Sequence, residues 1–332
     1  MRGVAAVLAA LAALAGCVST EGTTDGTDPR ASLERQLGRA DDTFNRRAFD
    51  EALGQYSALY LAALSGAYAG IAAEAAAQAA TINALEGDLE ESDRWMAFAT
   101  RYAEDAGVRA RSRVLLARGL RQWKRGEGAA ARGTFTELVD FCEDEDLPVR
   151  AMQGASLAAL VTEGEEQLGW SLRAIEVSQG LGEPRWEGAL WTNHGWLLEA
   201  RGEHGDALRS FERARALAMQ GAPSPMDRLK ADWNLGRGLR LAGRPAEARA
   251  VLEEAAVQGR GLYAARPAPR QAEWLGRVDW ELGELAAAEG DLEGAARKLA
   301  SARRRLEEAG AATAAPELLR RLDQRLAELA SR

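Results

Sequence analysis

The sequence predicts an all-α fold built from repeated helical pairs, and three observations carry that expectation. The 332 residues are 47% hydrophobic, 28% charged and only 6% aromatic, and the apolar share is mostly Ala and Leu, with Ile only at Ile71, Ile82 and Ile175. Ala and Leu head the helix scale, whereas β-branched and aromatic residues head the strand scale. One spacing of small and large residues recurs along the chain. The prolines fall where helix starts or linkers are needed, since proline inside a helix costs about 3 kcal/mol and is tolerated in a first turn.

Taken in order, residues 1–16 open with Met-Arg, continue through an apolar run from Val4 to Leu14 and end on small residues, the pattern of a removable secretory signal peptide. The run is too short to span a bilayer, which takes about 20 apolar residues. Its ending, Leu14-Ala15-Gly16-Cys17, resembles the lipobox of bacterial lipoproteins. That resemblance implies acylation of Cys17 and an anchor on the outer membrane, facing the periplasm, because Val18 and not Asp follows the cysteine. Residues 17–29 are polar and aperiodic, a flexible tether. Residues 30–332 are then one repeat array.

The clearest copy runs from 188 to 217. Trp191, Gly195, Gly202, Ala207, Phe211 and Ala214 stand on the spacing W-x2-L-G-x2-Y-x3-G-x4-A-x3-F-x2-A, which resembles the tetratricopeptide repeat, with His194 and Leu198 replacing the usual Leu and Tyr. Two antiparallel helices need small residues where their backbones approach, here Gly195 and Ala207, and fillers such as Trp191, Leu198 and Phe211. Leu235, Gly236, Leu239, Gly243, Ala248, Leu252 and Ala255 repeat the pattern, as do Leu282, Gly283, Gly290, Ala295, Leu299 and Ala302. Gly119, Gly126, Ala131 and Phe135 form an earlier copy. Ala52, Tyr56 and Leu59, then Gly87, Met96 and Ala99, mark weaker ones, and a degenerate unit surrounds Gly154. The resemblance implies a right-handed α-solenoid of about seven pairs.

Successive repeat glycines at 119, 154, 195, 236 and 283 lie farther apart than the usual 34 residues in most intervals. A helix lengthened by two turns still presents the same face, which suits the two middle intervals, whereas Pro267 and Pro269 place the excess of the last one in a loop. Residues 58–73 carry no charge, but Ser65, Gly66 and Gly70 divide them into the end of one helix and the start of the next. Pro316 opens a last helix with Leu318, Leu319, Leu322, Leu326 and Leu329 on one stripe, a solvating cap.

Charge and motif content narrow the function. A formal net charge of -8 excludes general nucleic-acid binding as a class, since no cation excess exists to displace counterions. No H-E-x-x-H, G-x-S-x-G, S-x-x-K, P-loop or dinucleotide fingerprint occurs. His194 and His204 have no third ligand nearby, so neither metal nor other cofactor is expected. His194 sits at a core-facing repeat position and His204 in a solvated turn. Cys142 reads as a small buried hydrophobe whose acidic neighbours, Glu143 to Asp146, oppose thiolate formation.

The repeat resemblance further implies that residues six and three before each repeat Gly, and one, four and five after it, line a concave groove. These positions hold Arg113, Trp123, Lys124, Trp196, Lys230, Trp233, Arg237, Arg240, Arg277 and Trp280. Trp and Arg are the residues that most often anchor interfaces. The implied activity is non-catalytic protein binding, of an acidic or C-terminal segment, in assembly of an envelope complex such as a pilotin assists. Capture of peptides or glycans by the tryptophans is the alternative. On this view, charge reversal at Arg237 and Arg240 weakens binding without lowering the melting temperature.

Overall fold

The computed structural model describes residues 28–103, 106–182, 184–220 and 223–331. The expected signal peptide, Cys17 and the tether as far as residue 27 lie outside the described residues. Those described form sixteen α-helices and no strand: α1 (Pro29–Asn45), α2 (Phe49–Ser65), α3 (Ala69–Glu86), α4 (Leu89–Ala103), α5 (Val108–Lys124), α6 (Gly128–Asp144), α7 (Pro148–Val161), α8 (Gly164–Leu181), α9 (Pro184–Ala200), α10 (His204–Ala218), α11 (Pro225–Leu241), α12 (Pro245–Ala265), α13 (Pro269–Ala288), α14 (Leu292–Glu308), the single turn α15 (Ala311–Ala314) and α16 (Pro316–Ala330). Seven consecutive pairs and a terminal cap are thus present. The chain divides into two compact units, Met1–Leu190 and Trp191–Arg332, the boundary falling inside α9.

Helix starts follow from local chemistry. Pro29, Pro148, Pro184, Pro225, Pro245, Pro269 and Pro316 each open a helix, where the missing N–H has no partner to lose. Asp28, Ser224 and Asp291 cap α1, α11 and α14 by accepting backbone N–H bonds from Arg30, Asp227 and Gly294 at 2.9, 3.1 and 2.8 Å. The turns inside the pairs at Gly126, Gly202, Gly243 and Gly290 need φ between +76° and +86°, which glycine adopts without a Cβ clash. In the first pair Arg47 takes the corresponding left-handed conformation instead.

The repeat glycines do the packing that their spacing predicts. A Cβ on Gly195 would stand 2.5 Å from Phe211, one on Gly236 2.5 Å from Leu252, and one on Gly283 2.8 Å from Leu299, always a filler of the pair's second helix. Gly119 meets Phe135 in the same way. Gly154 departs from the rule, for it faces Leu138 and Val139 of the preceding helix, α6. Its unit is degenerate because its small residue serves the contact between pairs.

Two expectations about spacing are corrected. The last interval is long because α12 and α13 run for 21 and 20 residues, joined by only residues 266–268, so the prolines bound extended helices and not a long loop. Between Gly195 and Gly236, α10 ends at Ala218 and α11 begins at Pro225, so lengthened helices are not the whole source of the excess. The uncharged stretch 58–73 does split, α2 ending at Ser65 and α3 beginning at Ala69. Among the described residues no helix is long and apolar enough to cross a membrane.

Each unit has its own core. Leu37, Tyr56, Leu59, Ile82 and Met96 centre one cluster of the first unit, and Leu120, Phe135, Leu138 and Leu157 another. In the second unit Leu229, Leu252, Val278 and Leu285 pack together. Leu299 and Leu306 of α14 meet Leu319, Leu322 and Leu329 of α16, which buries three leucines of the expected stripe and leaves Leu318 and Leu326 half-buried.

Candidate functional site

In the second unit the repeat glycines of α11 and α13 fix which arc of each helix meets its own partner, and the residues three and six positions earlier lie on another arc. Lys230 and Trp233 of α11 meet Trp274 and Arg277 of α13 there. The two indoles stand edge to face with centroids 5.4 Å apart. The Arg277 guanidinium lies 5.6 Å from the Trp233 ring and 5.3 Å from the Trp274 ring, and Lys230 Nζ lies 5.6 Å from Trp274. Such contacts contribute about 0.5–1 kcal/mol each at exposed sites and hold the cations in place. Arg277 Nη2 also reaches Glu273 Oε1 at 2.8 Å. Trp233 is nearly buried, at 6% exposure, and its Nε1 has no hydrogen-bond partner.

Trp196 and Trp280 are half-buried nearby on their own helices. Trp196 Nε1 donates to Asn234 Oδ1 at 3.0 Å, and Trp280 Nε1 to Glu284 Oε1 at 3.3 Å, with Arg321 5.4 Å over the Trp280 ring. Both indole N–H groups are therefore already engaged, and the Trp280 ring carries a cation of this chain.

Arg237 and Arg240 are not free cations, which corrects the expectation of a basic groove. Arg237 binds Glu199 through Nη2 at 2.6 Å and also binds Glu281, while Arg240 Nε binds Glu281 at 2.7 Å. Two arginines thus face two carboxylates. Burial works against the Arg237 charge, and Glu281 with Glu199 more than restores it, so its pKa rises. Reversing Arg237 would leave three carboxylates together, so an unchanged melting temperature is no longer expected.

The first unit scatters its predicted residues. Arg113 is buried, at 4% exposure, and bridges Asp41 of α1 and Glu74 of α3; its Nη1 donates to Asp41 Oδ1 at 2.9 Å and its Nε lies 2.9 Å from Glu74 Oε2. Tyr56 donates to Asp41 at 2.6 Å. Burial and then Asp41 push the Tyr56 hydroxyl pKa upward. Lys124 is spent on capping α3, its Nζ donating to the Leu85 carbonyl at 3.1 Å, with Trp123 packed beside it on the core.

Sequence reasoning missed Trp274, Glu199, Glu281, Asp41, Glu74 and Arg150. Glu199 stands four residues after Gly195, an inner position by the repeat rule itself. Asp41 and Glu74 were masked because Ala40 and Ala80, both fully buried, take the place of the marker glycine. The remaining chemistry is structural. Burial first, then Glu143, raises the Cys142 thiol to about 11, while Arg150 opposes them. His194 is buried, as its register implied, and burial lowers its pKa. His204 opens α10 with its Nδ1 covered and unpartnered, and so is less solvated than a turn position suggested. A hollow of about 670 Å³ between α12 and α14 is lined by Arg249, Arg260, Arg297 and Lys298 together with Glu253 and Asp291. Among the described residues no group of three or more His, Cys, Asp or Glu could hold a metal ion.

No protein-family model matches the sequence, and no curated protein matches it. Solved structures do. BtubC (BKLC) from P. vanneervenii is 19% identical with a TM-score of 0.55, over 72% of this chain and 95% of that one. A signal transduction ATPase with numerous domains, carrying a tetratricopeptide repeat sensor, from Pyrococcus horikoshii is 11% identical with a TM-score of 0.63, over 88% of this chain and 44% of that one. At such identities the likeness concerns the fold alone. The chain has a tetratricopeptide-like, all-α repeat fold.

Proposed function

We propose that this protein is a non-catalytic interaction scaffold whose second unit docks an extended segment of a protein partner. One observation carries the reading: Trp274, Lys230 and Arg277, backed by the buried Trp233, form a preorganised aromatic and cationic surface across two successive first helices. Ring faces accept apolar side chains, and Arg277 and Lys230 favour carboxylates on the incoming chain. Holding Arg277 against two rings before binding reduces the side-chain entropy lost on association.

The Leu14-Ala15-Gly16-Cys17 ending supports a lipid anchor, and with Val18 it favours an outer-membrane protein that faces the periplasm and assists assembly of an envelope complex, as a pilotin does. The test is in-cell crosslinking followed by purification of the lipidated protein from solubilised envelopes, with Trp274→Ala as the control. Trp274 suits this better than Trp233, because Trp233 belongs to the core. A defined partner lost in the control is the expected result. A saturable small-ligand change in Trp fluorescence, with no crosslinked partner, would replace the scaffold by ligand capture.

A further inference from the structure

A second feature, in the first unit, is independent of the reading given to the second. Helices α1, α3, α5 and α7 are the first helices of four successive pairs, and each contributes to one charge cluster. Arg113 takes both carboxylates, Asp41 and Glu74. Gln78 reinforces the arrangement, its Nε2 lying 3.4 Å from Asp41 and 3.3 Å from the Tyr56 hydroxyl. Arg109, largely exposed, adds a looser contact to Glu74 at 3.3 Å.

Arg150 of α7 is the member that the cluster does not satisfy. Its Nη1 donates to Gln153 Oε1 at 2.7 Å, a neutral acceptor on its own helix. Among the described residues no carboxylate lies within ion-pair distance of it. Burial first, and the like charge of Arg113 second, pull its pKa down to about 10, although Asp41 and Glu74 act in the opposite sense. Three guanidinium groups therefore share two carboxylates, and the surplus charge rests on a half-buried side chain. A desolvated cation beside a like charge gains more from an incoming oxyanion than an exposed one does.

We infer that Arg150, half-buried and held only by the neutral Gln153, anchors an oxyanion-binding site in the first unit. The planar fork of Arg150 suits a carboxylate, and the same charge would accept phosphate. The two sources are a carboxylate on a bound chain segment and free inorganic phosphate. Arg113 is committed to Asp41 and Glu74, whereas Arg150 is left with a neutral acceptor.

The test is an NMR titration of the arginine Nε–Hε resonances in the full chain, with the Arg150 signal assigned by its loss in Arg150→Gln. Three probes are added in turn: N-acetyl-alanylalanine with a free carboxylate, the same peptide as its amide, and inorganic phosphate. A saturable shift of the Arg150 signal with the free acid and none with the amide is expected. A shift with phosphate alone keeps the oxyanion site and assigns it to the free ion. No saturable shift with any probe overturns the inference. A thermal arm separates binding from structure. Arg150→Gln and Arg150→Lys should leave the ligand-free melting temperature unchanged or higher, and Arg150→Gln should abolish any rise produced by the oxyanion. A fall in Arg150→Gln as large as that in Arg113→Gln would make Arg150 a structural ion-pair member and overturn the site.

Discussion

Single side chains in this protein do opposite things from similar sequence positions. Arg113 and Arg277 both stand six residues before a repeat glycine, yet one is buried between two carboxylates and the other lies half-exposed on two rings. Removing one member of a buried ion pair leaves an uncompensated charge, so Arg113→Gln should cost about 3–5 kcal/mol in urea unfolding. Arg277→Gln should cost about 1 kcal/mol or less, because exposed pairs and cation–π contacts are weak, while partner binding falls. Equal losses in the two variants would refute the distinction. Gly236→Ala tests the repeat contact itself. A methyl 2.5 Å from Leu252 forces the second helix to move, and overpacking of this kind costs about 1–3 kcal/mol, measurable as a lower denaturation midpoint.

At the scale of helices and turns, the pairs are held by a small residue, a filler and a turn glycine. Gly202 has φ +80° with open space around it, so a side chain there meets backbone strain and no clash. Gly202→Ala should therefore destabilise by about 1–2 kcal/mol, whereas Gly205→Ala on α10, where the added methyl also meets open space, should stabilise by up to about 1 kcal/mol. Thermal unfolding of the two variants beside the parent decides this. The cap follows similar logic. Leu319, Leu322 and Leu329 of α16 cover the last pair, and Arg325 ties the cap to Glu284 at 3.1 Å. Polar substitution at Leu322, which is fully buried, should expose Leu299 and Leu306 and promote self-association visible by analytical ultracentrifugation.

For the molecule as a whole, stability should fall with acidity in two separate ranges. His194 is buried and its folded pKa is depressed, so below about pH 6.5 the unfolded chain takes up the proton first and stability declines. Asp41 behaves differently. Burial raises its pKa, but the charge and hydrogen bonds of Arg113 outweigh burial and hold the carboxyl below its usual value. It contributes stability that is fully present above about pH 4 and is lost as pH falls through the folded pKa. Urea midpoints measured from pH 7.5 to 3 should show both declines. His194→Asn should remove the first and Asp41→Asn the second.

The helical-pair architecture was legible in the sequence because it depends on local rules. Proline at a first turn, glycine at a left-handed turn and a small residue opposite a large one each act over a few residues. Gly119, Gly195, Gly236 and Gly283 therefore meet the filler their spacing names. What the sequence could not determine is which charges meet. Arg237 and Glu281 stand 44 residues apart, and Arg113 and Asp41 72 apart, so only the stacking of successive pairs brings them together. Coulomb energy depends on separation and burial, neither of which a list of residues contains. Composition and register thus determined an α-repeat chain carrying Trp and Arg on its first helices, while tertiary packing decided that most of those arginines are already paired and that Arg150 is not.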